Sequence, residues 1–157
     1  MERSVIPGTL FACEDFVLST LALTVSELLE EALAPLDLRL REYRLLLVLL
    51  GEGPRAQSSI GRALGIDRTS VVALVDGLER KGAVKRVRGA DRRAYDVELT
   101  PKGKRIATNA VSRVNAAEEK IFAPLASSER EALRVLSARL FEEPGPVAAR
   151  YQIDEGE

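Results

Sequence analysis

The residues of this chain that can do chemistry are mostly basic, and they crowd into one stretch. Arg68, Thr69 and Ser70 follow Asp67, while Lys85, Arg86 and Arg88 stand close together just ahead of Asp91, Arg92 and Arg93. Cations and hydroxyls in such density suit hydrogen bonding to phosphate oxygens and base edges. Acid–base and metal chemistry find no comparable support. With 1 Cys and 0 His, the chain offers no zinc ligand set, no internal disulfide and no histidine base. No enzymatic activity, cofactor or metal site is expected.

The formal net charge of −1 argues on its own against a nucleic-acid binder. Its distribution reverses that argument. Residues 55–105 carry 13 Lys or Arg against 6 Asp or Glu, a net of +7, and the remainder carries 10 against 18, a net of −8. A basic middle between acidic ends gives a local positive field, and locality decides phosphate binding.

The elements that position these residues can be read from periodicity. A helix opening at Asp67 places Val71, Leu74, Val75 and Leu78 on one buried face, with the Asp67 carboxylate as its cap. Thr69, Ala73, Asp76 and Arg80 lie opposite, flanked by Arg68, Ser70 and Val72, a slim face able to lie close against a partner. Gly82 ends the helix, and residues 84–88 and 95–99 alternate as strands do. The link GADRRA between them carries two arginines at its tip. A helix-turn-helix followed by a basic hairpin is a winged helix-turn-helix, whose usual target is duplex DNA.

On these residues the chain resembles the multiple-antibiotic-resistance regulators (MarR family). The motifs are GIDRTSVVALVDGLERKGAV, the wing signature DRRAYDVELT (Asp91, Arg93, Leu99, Thr100) and the TPKGK that follows. They cover roughly residues 35–105. The resemblance implies a homodimeric, ligand-responsive repressor of palindromic duplex DNA, with a small aromatic or phenolic effector. A cytoplasmic location is expected on a separate ground, since the sequence shows neither an apolar run of spanning length nor a signal-peptide pattern. The supporting helix would contribute Gln57 and Ser58, and the recognition helix Arg68, Thr69, Ser70, Val72 and Ala73 in the major groove. Arg93 would enter the minor groove, held by Asp91, with Lys85, Arg86, Arg88 and Arg92 on phosphates. Three departures stand out. Ala56 replaces a capping hydroxyl, Val72 and Ala73 replace polar readers and suit thymine methyls instead, and Gly77 replaces a longer side chain.

Taken in order, the chain reads as mainly α with a small β wing (α+β), a single domain over residues 1–157. Residues 9–34 form a first helix that is apolar almost all round, which argues for a second chain against it. Pro35 breaks it, and a second helix starts at Glu42 and buries LLLVLL. Residues 42–100 make the winged helix-turn-helix. Thr100-Pro101 opens a long helix, and a capping box at Ser128 and Glu131 opens the last one. The spans 9–34 and 101–143 are the dimerisation helices, and 144–157 is a flexible tail. No apolar run is long enough for a membrane span.

Two other readings remain open. Cys13 lies near the place where some relatives carry a redox-active cysteine, although Glu14 and Asp15 beside it oppose thiolate formation. Alternatively, the apolar Val72, Ala73 and Gly77 fit a winged-helix protein-interaction module that has lost DNA binding.

Overall fold

The computed structural model describes residues 5–88, 95–144 and 146–147. It divides into two compact units, Met1–Ala117 and Glu118–Glu157. The first holds α1 (Gly8–Phe11), α2 (Glu14–Leu33), a 3-10 turn at Ala34–Leu36, α3 (Leu40–Glu52), β1 (Arg55–Ala56), α4 (Gln57–Leu64), α5 (Arg68–Arg80), β2 (Val84–Arg88), β3 (Tyr95–Leu99) and most of α6 (Pro101–Ile121). The second holds the end of α6 and α7 (Ser127–Glu142).

The expected first helix is in fact two. Cys13 is extended (φ −93°, ψ 113°) and serves as the N-cap of α2, with Glu14 and Asp15 in the first turn. Two carboxylates favour a helix N-terminus over a helix interior, so a new helix opens where a continuous one was expected. Along α2 only Leu29 and Leu33 are buried, while Leu18, Leu21, Leu23 and Leu28 stay exposed.

The second helix begins at Leu40, two residues before the expected Glu42. The Glu42 carboxylate accepts from Arg39 N at 2.8 Å, and Glu30 accepts from Leu40 N at 2.9 Å. These two carboxylates satisfy amides that would otherwise lack partners in the first turn. Helix α3 packs with α4 and α5, and Leu45, Leu46 and Leu49 are buried in the core together with Ile60, Val71, Val75 and Leu78.

Helix α4 starts without a side-chain cap hydrogen bond from its N-cap residue Ala56, as the missing hydroxyl implied. Gly61 allows α5 to approach, because a Cβ there would lie 2.9 Å from Val71 Cγ2. The sheet is antiparallel in the order β1-β3-β2. Its two-residue strand β1, pairing Arg55 with Val97, is an addition to the expected hairpin. Val84, Val97 and Leu99 turn into the core.

Thr100 opens α6 as expected. Its Oγ1 accepts from Gly103 N at 2.9 Å and donates to Gly82 O at 2.7 Å. Gly103, Ala107, Ala110 and Val114 form the buried stripe of this helix. In the second unit α7 starts at Ser127, and Glu129 caps it by accepting from Ala126 N at 2.7 Å. The expected box at Ser128 and Glu131 is therefore displaced, and Glu131 holds Arg134 at 2.6 Å instead. No residue of α7 is buried. The expected tail, 144–157, lies almost wholly outside the described residues.

Candidate nucleic-acid interface

Asp67 fixes the start of α5. Its Oδ1 accepts from Ser70 N at 3.0 Å and its Oδ2 accepts from Ser70 Oγ at 2.6 Å. These bonds from Ser70 hold its carboxyl below the ordinary aspartate value, the side-chain bond most of all. The Ser70 hydroxyl proton is thus engaged within the helix, which leaves that oxygen only as an acceptor towards anything outside. Arg68, Thr69, Val72 and Ala73 are exposed on the same N-terminal half of the helix. On α4, Ser58 is exposed, whereas Gln57 is half-buried, its Nε2 enclosed and without a hydrogen-bond partner among the described residues.

The far end of α5 is anchored. Lys81, its C-cap, donates from Nζ to Glu42 Oε2 at 3.0 Å and to the carbonyl of Asp37, a residue in the left-handed region (φ 51°). A cavity of about 500 Å³ opens beside this pair, with Glu30, Leu38 and Arg39 in its lining. Among the described residues its lining is charged and aliphatic.

On β2 the three basic residues have different surroundings. Lys85 is exposed and pairs with Glu98 at 2.7 Å, its cross-strand neighbour. Arg88 is exposed opposite Tyr95. Arg86 is largely covered, its side chain 24% exposed, and both of its terminal nitrogens meet carboxylates of α5. One is 2.5 Å from Asp76 Oδ1 and the other contacts Glu79 Oε2, while Glu79 Oε1 also accepts from Arg86 N at 3.3 Å. The bond to Asp76 chiefly raises the guanidinium pKa above its ordinary value. A sequence signal for this existed, since strand alternation puts Arg86 on the face of buried Val84. Asp91, Arg92 and Arg93 lie outside the described residues.

Cys13 is exposed, with its thiol 3.4 Å from Thr9 O. Among the described residues no cluster of potential ligands could hold a metal, and no helix is long and apolar enough to cross a membrane.

Similarity to known proteins follows the same surface. The MarR family model matches residues 36–94, from the turn before α3 to the end of the hairpin link. A protein of Thauera aromatica named as a transcriptional regulatory protein for the hcr operon is 31% identical over 111 residues, covering 70% of this chain and 67% of that protein. The transcriptional repressor CouR bound to a 23-mer DNA duplex is 30% identical with a TM-score of 0.80, covering 87% of this chain and 97% of that one. CouR of Rhodococcus jostii RHA1 bound to p-coumaroyl-CoA is 27% identical with a TM-score of 0.76, over 86% and 95% of the two chains. With its winged helix-turn-helix and this degree of likeness along most of its length, the chain belongs to the MarR family, whose members are transcriptional regulators rather than enzymes.

Proposed function

We propose that this regulator is a ligand-responsive repressor that binds palindromic duplex DNA as a homodimer in the cytoplasm. The observation that carries this reading is the exposed N-terminal half of α5 beside a basic hairpin, in a fold similar to CouR on duplex DNA. Arg68, Thr69, Ser70, Val72 and Ala73 face the major groove, with Gln57 and Ser58 supporting them. Arg93 enters the minor groove, where narrow A·T-rich sequence strengthens the negative potential. Asp91 orients it by a charge-assisted hydrogen bond. Lys85, Arg88 and Arg92 contact phosphates. The spans 9–34 and 101–143 form the dimer layer, which is supported by the exposed leucines of α2 and of α7.

Two heads related by a two-fold axis require half-sites about one helical turn apart, roughly 34 Å. An effector that changes the spacing of the heads abolishes simultaneous docking. CouR binds p-coumaroyl-CoA, which supports a phenolic effector here, carried as a thioester. Selection of bound sites from a random duplex library tests the reading, and a palindrome is expected. Failure to enrich any sequence would favour the protein-interaction module instead. With the palindrome in hand, p-coumaroyl-CoA is expected to release the protein from it.

A further inference from the structure

We infer that Arg86 is a positioning residue that clamps the stem of the wing to the recognition helix, rather than a ligand of DNA phosphate. The inference rests on the DNA-reading function proposed above and specifies how its two reading elements are held together. Arg86 sits in the middle of β2, paired with Val97 of the central strand, and reaches across to Asp76 and Glu79, one turn apart on α5. A planar guanidinium presents its donors to two carboxylates in fixed directions, whereas the donors of an ammonium rotate freely about a single nitrogen. Because Glu79 also accepts from Arg86 N, the backbone of the strand is tied to the helix as well as the side chain.

This arrangement has two consequences for DNA. The wing and α5 must enter neighbouring grooves together, so the angle between them decides whether both dock. Asp76 is 51% exposed on the outer side of α5, where a bare carboxylate would repel the backbone. Arg86 neutralises it from behind. An arginine with both terminal nitrogens on carboxylates cannot at the same time make a bidentate contact to phosphate.

The test uses the full chain on its selected operator, with Arg86→Lys and the double variant Asp76→Asn/Glu79→Gln. Affinity is measured between about 50 and 200 mM salt, and groove protection by hydroxyl-radical and dimethyl-sulfate footprinting. Arg86→Lys is expected to bind about tenfold or more weakly, with the salt slope unchanged. Minor-groove protection at the flanks should be lost while major-groove protection persists. The double variant is the sharper arm. It removes two negative charges and frees an arginine, so a phosphate ligand would then bind more tightly. A positioning residue would lose its anchors, and binding would weaken with the same footprint.

Tighter binding by the double variant overturns the inference, as does a parent-like Arg86→Lys or an equal loss of protection in both grooves. If the parent enriches no duplex, the DNA reading fails, and the clamp is judged without DNA. Amide hydrogen exchange in β2 and β3 should then quicken in the double variant, and unchanged exchange would overturn the clamp.

Discussion

A Cβ placed on Gly103 would lie 1.8 Å from the carbonyl oxygen of Ala83. That same carbonyl accepts from Thr100 N at 3.0 Å. The first turn of α6 therefore rests directly on the backbone that leads from the recognition helix into β2, and only glycine fits. This contact gives a physical reason for the TPKG that follows the wing.

Gly103→Ala should accordingly destabilise the fold by about 3 kcal/mol or more, beyond ordinary overpacking, because the obstructing atoms are backbone. Gly51 is the matched control. It is also helical, yet a Cβ there meets nothing within 4 Å, so Gly51→Ala should add about 0.5–1 kcal/mol of stability. Denaturant titration of both variants checks the pair, and equal effects would refute the argument.

The capping of α5 yields a pH dependence. Hydrogen bonds from Ser70 lower the Asp67 pKa in the folded chain relative to the ordinary 3.8. A depressed carboxylate contributes stability that is complete above the unfolded value and disappears as pH falls through the folded one. Asp67→Asn can still accept at the cap but carries no titrating charge. The difference in thermal midpoint between parent and Asp67→Asn should therefore be constant near neutrality and shrink below pH 3.8. A difference that persists unchanged in acid would show that charge has no part in this cap.

Much of this was legible in the sequence, and the reason is that local rules agreed there. The Asp67 cap, the apolar spacing of Val71, Val75 and Leu78 (Leu74, expected with them, is only half-buried), and the Thr100-Pro101 start each follow from neighbours in the chain. What was not legible depended on distant partners. Glu42 extends α3 backwards because Arg39 N needs an acceptor, and β1 exists only because β3 offers an edge to Arg55 and Ala56. Arg86 illustrates the difference most clearly. Counted as a charge it belongs with Lys85 and Arg88, but by strand alternation it shares a face with Val84 and points to α5.

The exposed apolar residues of α7 lead to a prediction about assembly. Leu136 and Leu140 are 59% and 58% exposed, and burying a leucine side chain is worth about 1.5–3 kcal/mol. The parent should sediment as a dimer at micromolar concentration, and Leu136→Glu should shift it to monomer while its helical signal is kept. Operator binding should fall with the dimer. A parent that sediments as a stable monomer would remove the dimer from the proposed function.

The last prediction concerns what α5 reads. With the Ser70 hydroxyl donating to the Asp67 carboxylate, the side-chain hydrogen-bond donors left at the exposed start of the helix are Arg68 and Thr69. Beside them Val72, 38% exposed, and Ala73 present methyl groups. In the major groove the matching feature is the C5 methyl of thymine, which a hydrogen-bonding reader ignores and an apolar one requires. Deoxyuridine lacks that methyl and keeps every donor and acceptor of thymine. Replacing thymines of the half-site one at a time by deoxyuridine should weaken parent binding about fourfold at one or two positions, corresponding to about 0.8 kcal/mol per methyl. Val72→Ala should lose sensitivity at one of those positions and keep it elsewhere. Val72→Ser should lose it too, and should tolerate a cytosine there better than the parent. If every deoxyuridine operator binds the parent as tightly as thymine does, the apolar face of α5 plays no part in choosing the site, and specificity rests with Arg68, Thr69 and the wing.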